Sequence, residues 1–278
     1  MQLQRIFLVL IIWAIAACDR APEMEIRRLS VGVVGYGTTD RSLQQYADFQ
    51  TYLGTQQNST IELEPTYNEV RALAQISGNK WDLVFAPPGL AAIAISEHNY
   101  EPLVPLESRD KTRSVIVAKS VLSATELKDL AGQTIALGQK GSATGYYLPI
   151  FNLYGLTFQE VVYAPTPKAV LELLHNDEVS VGALSLGDYN LLKRNYDANQ
   201  FKIIYLDRHN VPPGAILASD RLERNQQEQI RQALQETPSF IAANAGYLTN
   251  EPLPDYSYLI GVIERVREVQ AESPMVLQ

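Results

Sequence analysis

The sequence predicts an α/β protein made of two lobes, each a mostly parallel sheet flanked by helices. Three observations lead there. Short apolar runs alternate with helical patterns along most of the chain, the β-α-β order that builds parallel sheets. The 278 residues exceed what one small core needs, so two units of about 100–150 residues each are the natural division. One stretch, Leu130 to Ile150, hands an apolar strand over to a helical run through glycine and small hydroxyl residues.

The amino terminus stands apart from this pattern. Arg5 is followed by the apolar run Ile6 to Trp13 and then by Ala14-Ile15-Ala16-Ala17-Cys18. A basic residue, an apolar stretch and small residues before a cut site describe a secretory signal, too short for a comfortable membrane span. Ile15-Ala16-Ala17-Cys18 resembles the lipobox of bacterial lipoproteins, with Ile15 where Leu is usual. That resemblance implies a signal over 1–18, a lipid on Cys18 and a polar tether over 19–25. The other reading is a free thiol beside a plain signal. Cys18 is the only cysteine, so no internal disulfide forms under either reading.

The elements then follow in order. Leu29 to Val34 is a first strand, and Asp40 can cap a helix carrying Leu43, Tyr46, Phe49 and Leu53, closed by Gly54. Thr60 to Glu64 alternates as a strand, Asn68 to Ser77 is helical, and Trp81 to Phe85 is the next strand. Ala86-Pro87-Pro88-Gly89 leads into an apolar helix over Leu90 to Ser96. Strands at Leu103–Leu106 and Ser114–Ala118 flank a charged turn, the expected first crossing between lobes. Beyond a short helix at Leu127–Leu130 and a strand at Thr134–Leu137, strands at Phe158–Ala164, Val179–Leu184 and Phe201–Tyr205 alternate with helices at Thr166–Asn176 and Asp188–Arg194. His209 to Gly214, with two prolines, reads as the return crossing. A strand over Ala215–Ser219, a charged amphipathic helix over Arg221–Thr237 and two shorter helical segments finish the chain. The expected lobes are therefore 26–112 with 209–278, and 113–208.

Within the Leu130–Ile150 stretch, Thr134 to Leu137 is a buried strand and Gly138 to Gly141 a turn. Pro149 fits a helix only in its first turn, which puts the helix start near Thr144. Free N–H groups at such a start suit an anion of phosphate or carboxylate kind. An ordinary Ser or Thr N-cap accounts for the spacing equally well. Pro88-Gly89 is a second helix start of the same character, and both would open on a cleft at the strand carboxyl ends if the lobes face each other. Tyr36, Thr38 and Thr39 follow the first strand and would line the same rim.

Four stretches carry a family resemblance across about Ile26 to Ala245. They are Tyr67 with Trp81-Asp82-Leu83-Val84-Phe85-Ala86-Pro87-Pro88-Gly89, Leu127 to Ala136 with Gly141-Ser142-Ala143-Thr144-Gly145-Tyr146, Val179-Ser180-Val181-Gly182-Ala183, and Val211-Pro212-Pro213-Gly214-Ala215. Together they resemble the periplasmic phosphonate/phosphite-binding proteins of ABC transporters, which have the type II solute-binding fold. The resemblance implies a two-lobed clamp closing by hinge motion on a tetrahedral oxyanion and delivering it to an ABC permease. Ser142 and Thr144 would hold oxygens through hydroxyls, the amides of Ala143, Thr144 and Gly145 would complete the cradle, and Tyr67 would reach across from the other lobe. Two departures matter: Ala143 replaces a Thr that usually offers a hydroxyl, and Ser180 replaces an Asp that usually meets a protonated oxygen or amino group. A fully deprotonated anion, or a ligand without a donor group, fits these departures better.

Other chemistry is excluded or unsupported. A net charge of −8 argues against nucleic acid or anionic membrane as the main partner. The three histidines, His98, His175 and His209, have no metal-ligand spacing, though His209 could face the cleft. Gly141 to Gly145 is not a nucleophile elbow, Gly138 to Gly145 lacks a P-loop ending, and Gly35-Tyr36-Gly37 lacks the third glycine of a dinucleotide turn. The expectation is a monomeric binding lipoprotein, without cofactor, metal or catalyst. The alternatives are a ligand sensor for a membrane kinase or chemoreceptor, a binder of a sulfonate, nitrate or organic acid, and, last among them, an enzyme built on the same fold.

Overall fold

The computed structural model describes residues 27–35, 42–108 and 112–272. Cys18, the tether, Tyr36, Thr38, Thr39 and Asp40 lie outside the described residues. The strands are β1 (Arg27–Val34), β2 (Ser59–Thr66), β3 (Leu83–Ala86), β4 (Glu101–Pro105), β5 (Ser114–Lys119), β6 (Thr134–Leu137), β7 (Glu160–Tyr163), β8 (Val181–Ser185), β9 (Phe201–Leu206) and β10 (Ala215–Ala218). The α-helices are α1 (Ala47–Gln57), α2 (Glu69–Ser77), α3 (Pro88–Glu97), α4 (Leu148–Asn152), α5 (Pro167–His175), α6 (Leu186–Leu192), α7 (Arg224–Gln235), α8 (Ser239–Ala245) and α9 (Ser257–Glu272).

The strands form two five-stranded sheets, ordered β2-β1-β3-β10-β4 and β7-β6-β8-β5-β9. In the first, β1 pairs in parallel with β2 and β3, while β10 runs antiparallel to β3 and β4. In the second, β6 pairs in parallel with β7 and β8, while β5 runs antiparallel to β8 and β9. Each sheet is thus mixed, with one opposing strand. The two exceptions share a cause. β5 and β10 are the first strands after the chain passes from one sheet to the other, so no helical crossover returns them to the starting edge. Residues between β4 and β5, and between β9 and β10, make the two crossings.

Local chemistry explains the element boundaries. Asn68 caps α2 by accepting from the Arg71 amide at 3.0 Å, and Thr166 caps α5 by accepting from Ala169 at 3.1 Å. Gly54 does not end α1, as the sequence suggested. It lies inside the helix, where a Cβ would come within 2.9 Å of the Ser59 carbonyl oxygen, and Asn58 in a left-handed conformation makes the stop. The last helical segment is also not short: α9 has 16 residues and runs along both lobes.

One apolar core passes through both lobes at that helix. Leu90 and Ala91 of α3 join Tyr147, Leu148 and Ile150 of the second lobe, and Leu259, Val262, Ile263 and Val266 of α9 cover them. Polar ties flank this seam. Arg267 pairs with Glu97 of α3, and the Gln270 amide donates to the Tyr146 hydroxyl at 3.0 Å. The Tyr256 hydroxyl donates to the Pro213 carbonyl at 2.8 Å, and the Tyr258 ring stacks on His209 at 4.1 Å. His209 is therefore held by Tyr258 and by the buried Asp207, 3.2 Å from its ring, and is not among the cleft residues.

The first sheet has its own strict fit. Trp81 is fully buried, its indole N–H donates to Glu64 at 2.9 Å, and its ring lies flat on β1 where Gly32 has no side chain. A Cβ at Gly32 would sit 2.3 Å from the ring. Gly32→Val should destabilise the protein by about 3 kcal/mol or more. The check is a urea midpoint that falls while the slope of the transition stays constant; an unmoved midpoint would contradict this packing.

Candidate functional site

The loop from Gly138 to Tyr147 is built around what Pro149 cannot do. Ser142 caps the turn, its hydroxyl oxygen accepting from the Gly145 amide at 3.1 Å. Ala143–Tyr147 then form one π-helical turn, in which the Tyr147 amide reaches back to the Ser142 carbonyl at 3.1 Å. Pro149 follows in the first turn of α4 and brings no N–H. The carbonyls it leaves without a helical donor are those of Thr144 and Gly145, five and four residues back. Both are satisfied from outside: the Ser114 hydroxyl donates to Thr144 at 2.7 Å, and the Gly138 amide donates to Gly145 at 2.8 Å. The irregular turn carries no unpaired carbonyl at these positions.

This loop meets the other lobe backbone to backbone. Gly89, in the first turn of α3, lies so close that a Cβ there would be 2.0 Å from the Gly141 carbonyl oxygen and 2.7 Å from the Ala143 nitrogen. Only glycine permits the approach. Gly141 in turn rests against Glu69 of α2 and Leu90 of α3, each 3.0 Å from where its Cβ would be.

Beside this contact lies a cleft of about 590 Å³, lined from both lobes. Four helical segments begin on it: α3 at Pro88, the Ser142 turn, α5 at Thr166-Pro167 and α6 at Ser185. Each start adds partial positive charge, and the amides of Ala143 and Thr144, as the first two residues of their turn, have no intrahelical acceptor. The Ser142 hydroxyl retains its own O–H donor, since the Gly145 amide engages only its oxygen. The cleft is not uniformly positive. Glu69, only 3% exposed, and Asp188 also line it, as does Arg194.

Asp188 is tied to the start of its own helix. Its amide donates to the Ser185 hydroxyl oxygen at 2.9 Å, and that hydroxyl donates back to the Asp188 carboxylate at 2.5 Å. Burial pushes the Asp188 carboxyl above its ordinary range, and the Ser185 hydrogen bond offsets part of the rise.

The structure brings together six of the residues singled out in the sequence: Pro88, Gly89, Ser142, Ala143, Thr144 and Gly145 all line the cleft. Gly145 contributes no amide, because Ser142 has taken it. Two others lie elsewhere. Tyr67 is 60% exposed ahead of α2 and is not among the cleft residues. Ser180 sits at the start of β8, where its amide donates to the Thr134 hydroxyl at 3.0 Å. The cleft opens at the other end of that strand, where Ser185 and Asp188 stand. Sequence reasoning missed Glu69, Thr166, Ser185 and Asp188. The usable signal was the strand carboxyl end, where open α/β sheets bind ligands: Thr166 follows β7 and Ser185 closes β8. Among the described residues no group of three His, Cys, Asp or Glu could hold a metal ion.

The raised Asp188 carboxyl has a signed consequence for stability. Its folded pKa exceeds its unfolded value, so the native state binds more protons between the two, and stability from this group rises as pH falls through that window. Above the window the charged, buried carboxylate is a burden. Asp188→Asn should therefore unfold at higher temperature than the parent at pH 7, with the gain shrinking towards pH 4. Melting both chains at the two pH values reads this directly, and a gain that grows on acidification would refute it.

No curated protein matches the chain. A family model described as "ABC transporter, phosphonate, periplasmic substrate-binding protein" matches residues 31–243. Among solved structures, XAC2383 from Xanthomonas citri bound to ATP superposes with a TM-score of 0.71 at 17% identity, covering 87% of this chain and 98% of that one. PA3383 from Pseudomonas aeruginosa, a binding protein component of an ABC phosphonate transporter, gives 0.65 at 13%, covering 90% and 88%. PhnD1 from Prochlorococcus marinus, in complex with methylphosphonate, gives 0.63 at 16%, covering 90% and 99%. At these identities the structural likeness speaks to fold, and the fold is the type II periplasmic binding protein arrangement of two mixed α/β sheets. With the family model spanning most of its length, the chain belongs to the periplasmic substrate-binding proteins of phosphonate ABC transporters.

Proposed function

We propose that this chain captures a small tetrahedral oxyanion (phosphonate, phosphite or phosphate) in the interlobe cleft and presents it to an ABC permease. Family membership implies a small ligand, permease partners and an extracytoplasmic location, in a transport family rather than an enzyme family. The oxyanion is our reading. One observation carries it: the Ser142–Thr144 turn of one lobe abuts the Pro88-Gly89 helix start of the other, so hydroxyls and free amides from two positive helix ends gather in one cleft. The ligands named for two structures of the same fold, ATP and methylphosphonate, carry phosphorus oxyanions too.

In this reading 26–112 with 209–278 form one lobe and 113–208 the other, and the protein acts as a monomer held to the membrane by a lipid on Cys18. The seam beneath α9 is the fulcrum. Ligand held on the Ser142 turn recruits the opposite lobe, and the closed population rises by its differential affinity. Tyr67 joins the ligand only if closure carries it inward.

The test compares the parent with a Ser142→Ala, Thr144→Ala double variant by thermal unfolding and by calorimetry with methylphosphonate, phosphite, phosphate, sulfate and nitrate. A ligand at a hundred times its dissociation constant should add about 2.7 kcal/mol to the parent's stability. Removing two hydroxyls that meet a charged ligand should weaken binding more than about tenfold, while losing the Ser142 cap costs stability about 1 kcal/mol and leaves the far-UV spectrum unchanged. Unchanged affinity in the double variant sinks the site. Stabilisation by sulfate or nitrate alone sinks the phosphorus ligand.

A further inference from the structure

We infer that the ligand is a phosphonate or phosphomonoester whose organic substituent is large and presents an apolar face, a refinement that rests on the oxyanion reading above. The argument begins with space. A methylphosphonate-sized anion occupies on the order of 100–150 Å³ if each of its few heavy atoms takes somewhat less than a water's share of liquid volume. The cleft offers about 590 Å³, within the range of sites that enclose a molecule of drug size.

Closure does not remove this surplus at its floor. Gly89 already touches the backbone of Gly141 and Ala143, with no room for even a methyl group between them. The apolar core behind that contact, Leu90 with Tyr147, Leu148 and Ile263, is buried and packed.

The walls say what fills the space. Among polar residues such as Asn190 and Arg194, the cleft lining also carries Pro87, Leu106, Pro165, Leu191, Pro212 and Pro213. These are apolar surfaces with little conformational entropy to lose when a ligand covers them, since prolines arrive already ordered. A bare inorganic anion would leave them wet, whereas an organic substituent buries them.

The experiment measures dissociation constants of the full chain for inorganic phosphate, methylphosphonate and phenylphosphonate by calorimetry. It repeats them on Leu191→Ser, an exposed position where substitution leaves the fold intact as read by circular dichroism. Phenylphosphonate should bind at least tenfold more tightly than either small anion, and Leu191→Ser should weaken phenylphosphonate severalfold more than methylphosphonate. Equal or tighter binding of phosphate or methylphosphonate overturns the substituent and leaves the oxyanion reading standing. An equal effect of Leu191→Ser on both phosphonates overturns the apolar wall. Failure of all three ligands to bind overturns the oxyanion reading and this inference with it.

Discussion

The architecture hangs on one close contact, the Gly89 backbone against Gly141 and Ala143. It joins a helix start in one lobe to an irregular helical turn in the other, so neither can shift without the second responding. The turn is itself fixed from three sides: Ser142 caps it, Ser114 serves the Thr144 carbonyl and Gly138 serves Gly145. Behind it the apolar seam and α9 hold the lobes together, and in front of it the cleft opens. The same contact therefore sets the seam between the lobes beside the helix starts that line the cleft.

The alternation of strands and helices was legible because burial imposes it on the sequence. Trp81 to Phe85 and Thr134 to Leu137 are apolar runs since both faces of their sheets are covered. Strand direction was not written there. Whether Ser114–Lys119 runs with or against Val181–Ser185 depends on the path of the crossing, not on the side chains of either strand. The π turn was hidden for a related reason: Pro149 announces a helix start but not how the two carbonyls behind it find donors on Ser114 and Gly138, distant or turned back in the chain.

The candidate site was legible where it is a local motif and obscure where it depends on sheet polarity. Ser142, Thr144 and the Pro88-Gly89 start are readable because N-terminal helix chemistry is carried by adjacent residues. Ser180 and Ser185 are five residues apart on or beside one strand, and only the sheet decides which end faces the cleft. Asp188 looks like an ordinary first-turn acid until its burial is known. Tyr67 is placed by its neighbours rather than by its own chemistry, and its exposure could not be read from an aromatic beside a helix. The net charge of −8 was equally silent, since the helix starts gathered at the cleft act locally and the acidic surface elsewhere does not cancel them.

The position of β10 has a further consequence, for the order in which the polypeptide assembles. The second sheet draws all its strands from one uninterrupted segment, Ser114 to Leu206. The first is incomplete until Ala215–Ala218 slides between Leu83–Ala86 and Glu101–Pro105, strands that precede it by more than a hundred residues. Such long-range pairing is slow. Until it occurs, β3 and β4 present unpaired edges, the kind of surface that recruits other chains. The strands of the central sheet can thus pair among themselves, while the outer sheet waits, open-edged, for β10 to emerge.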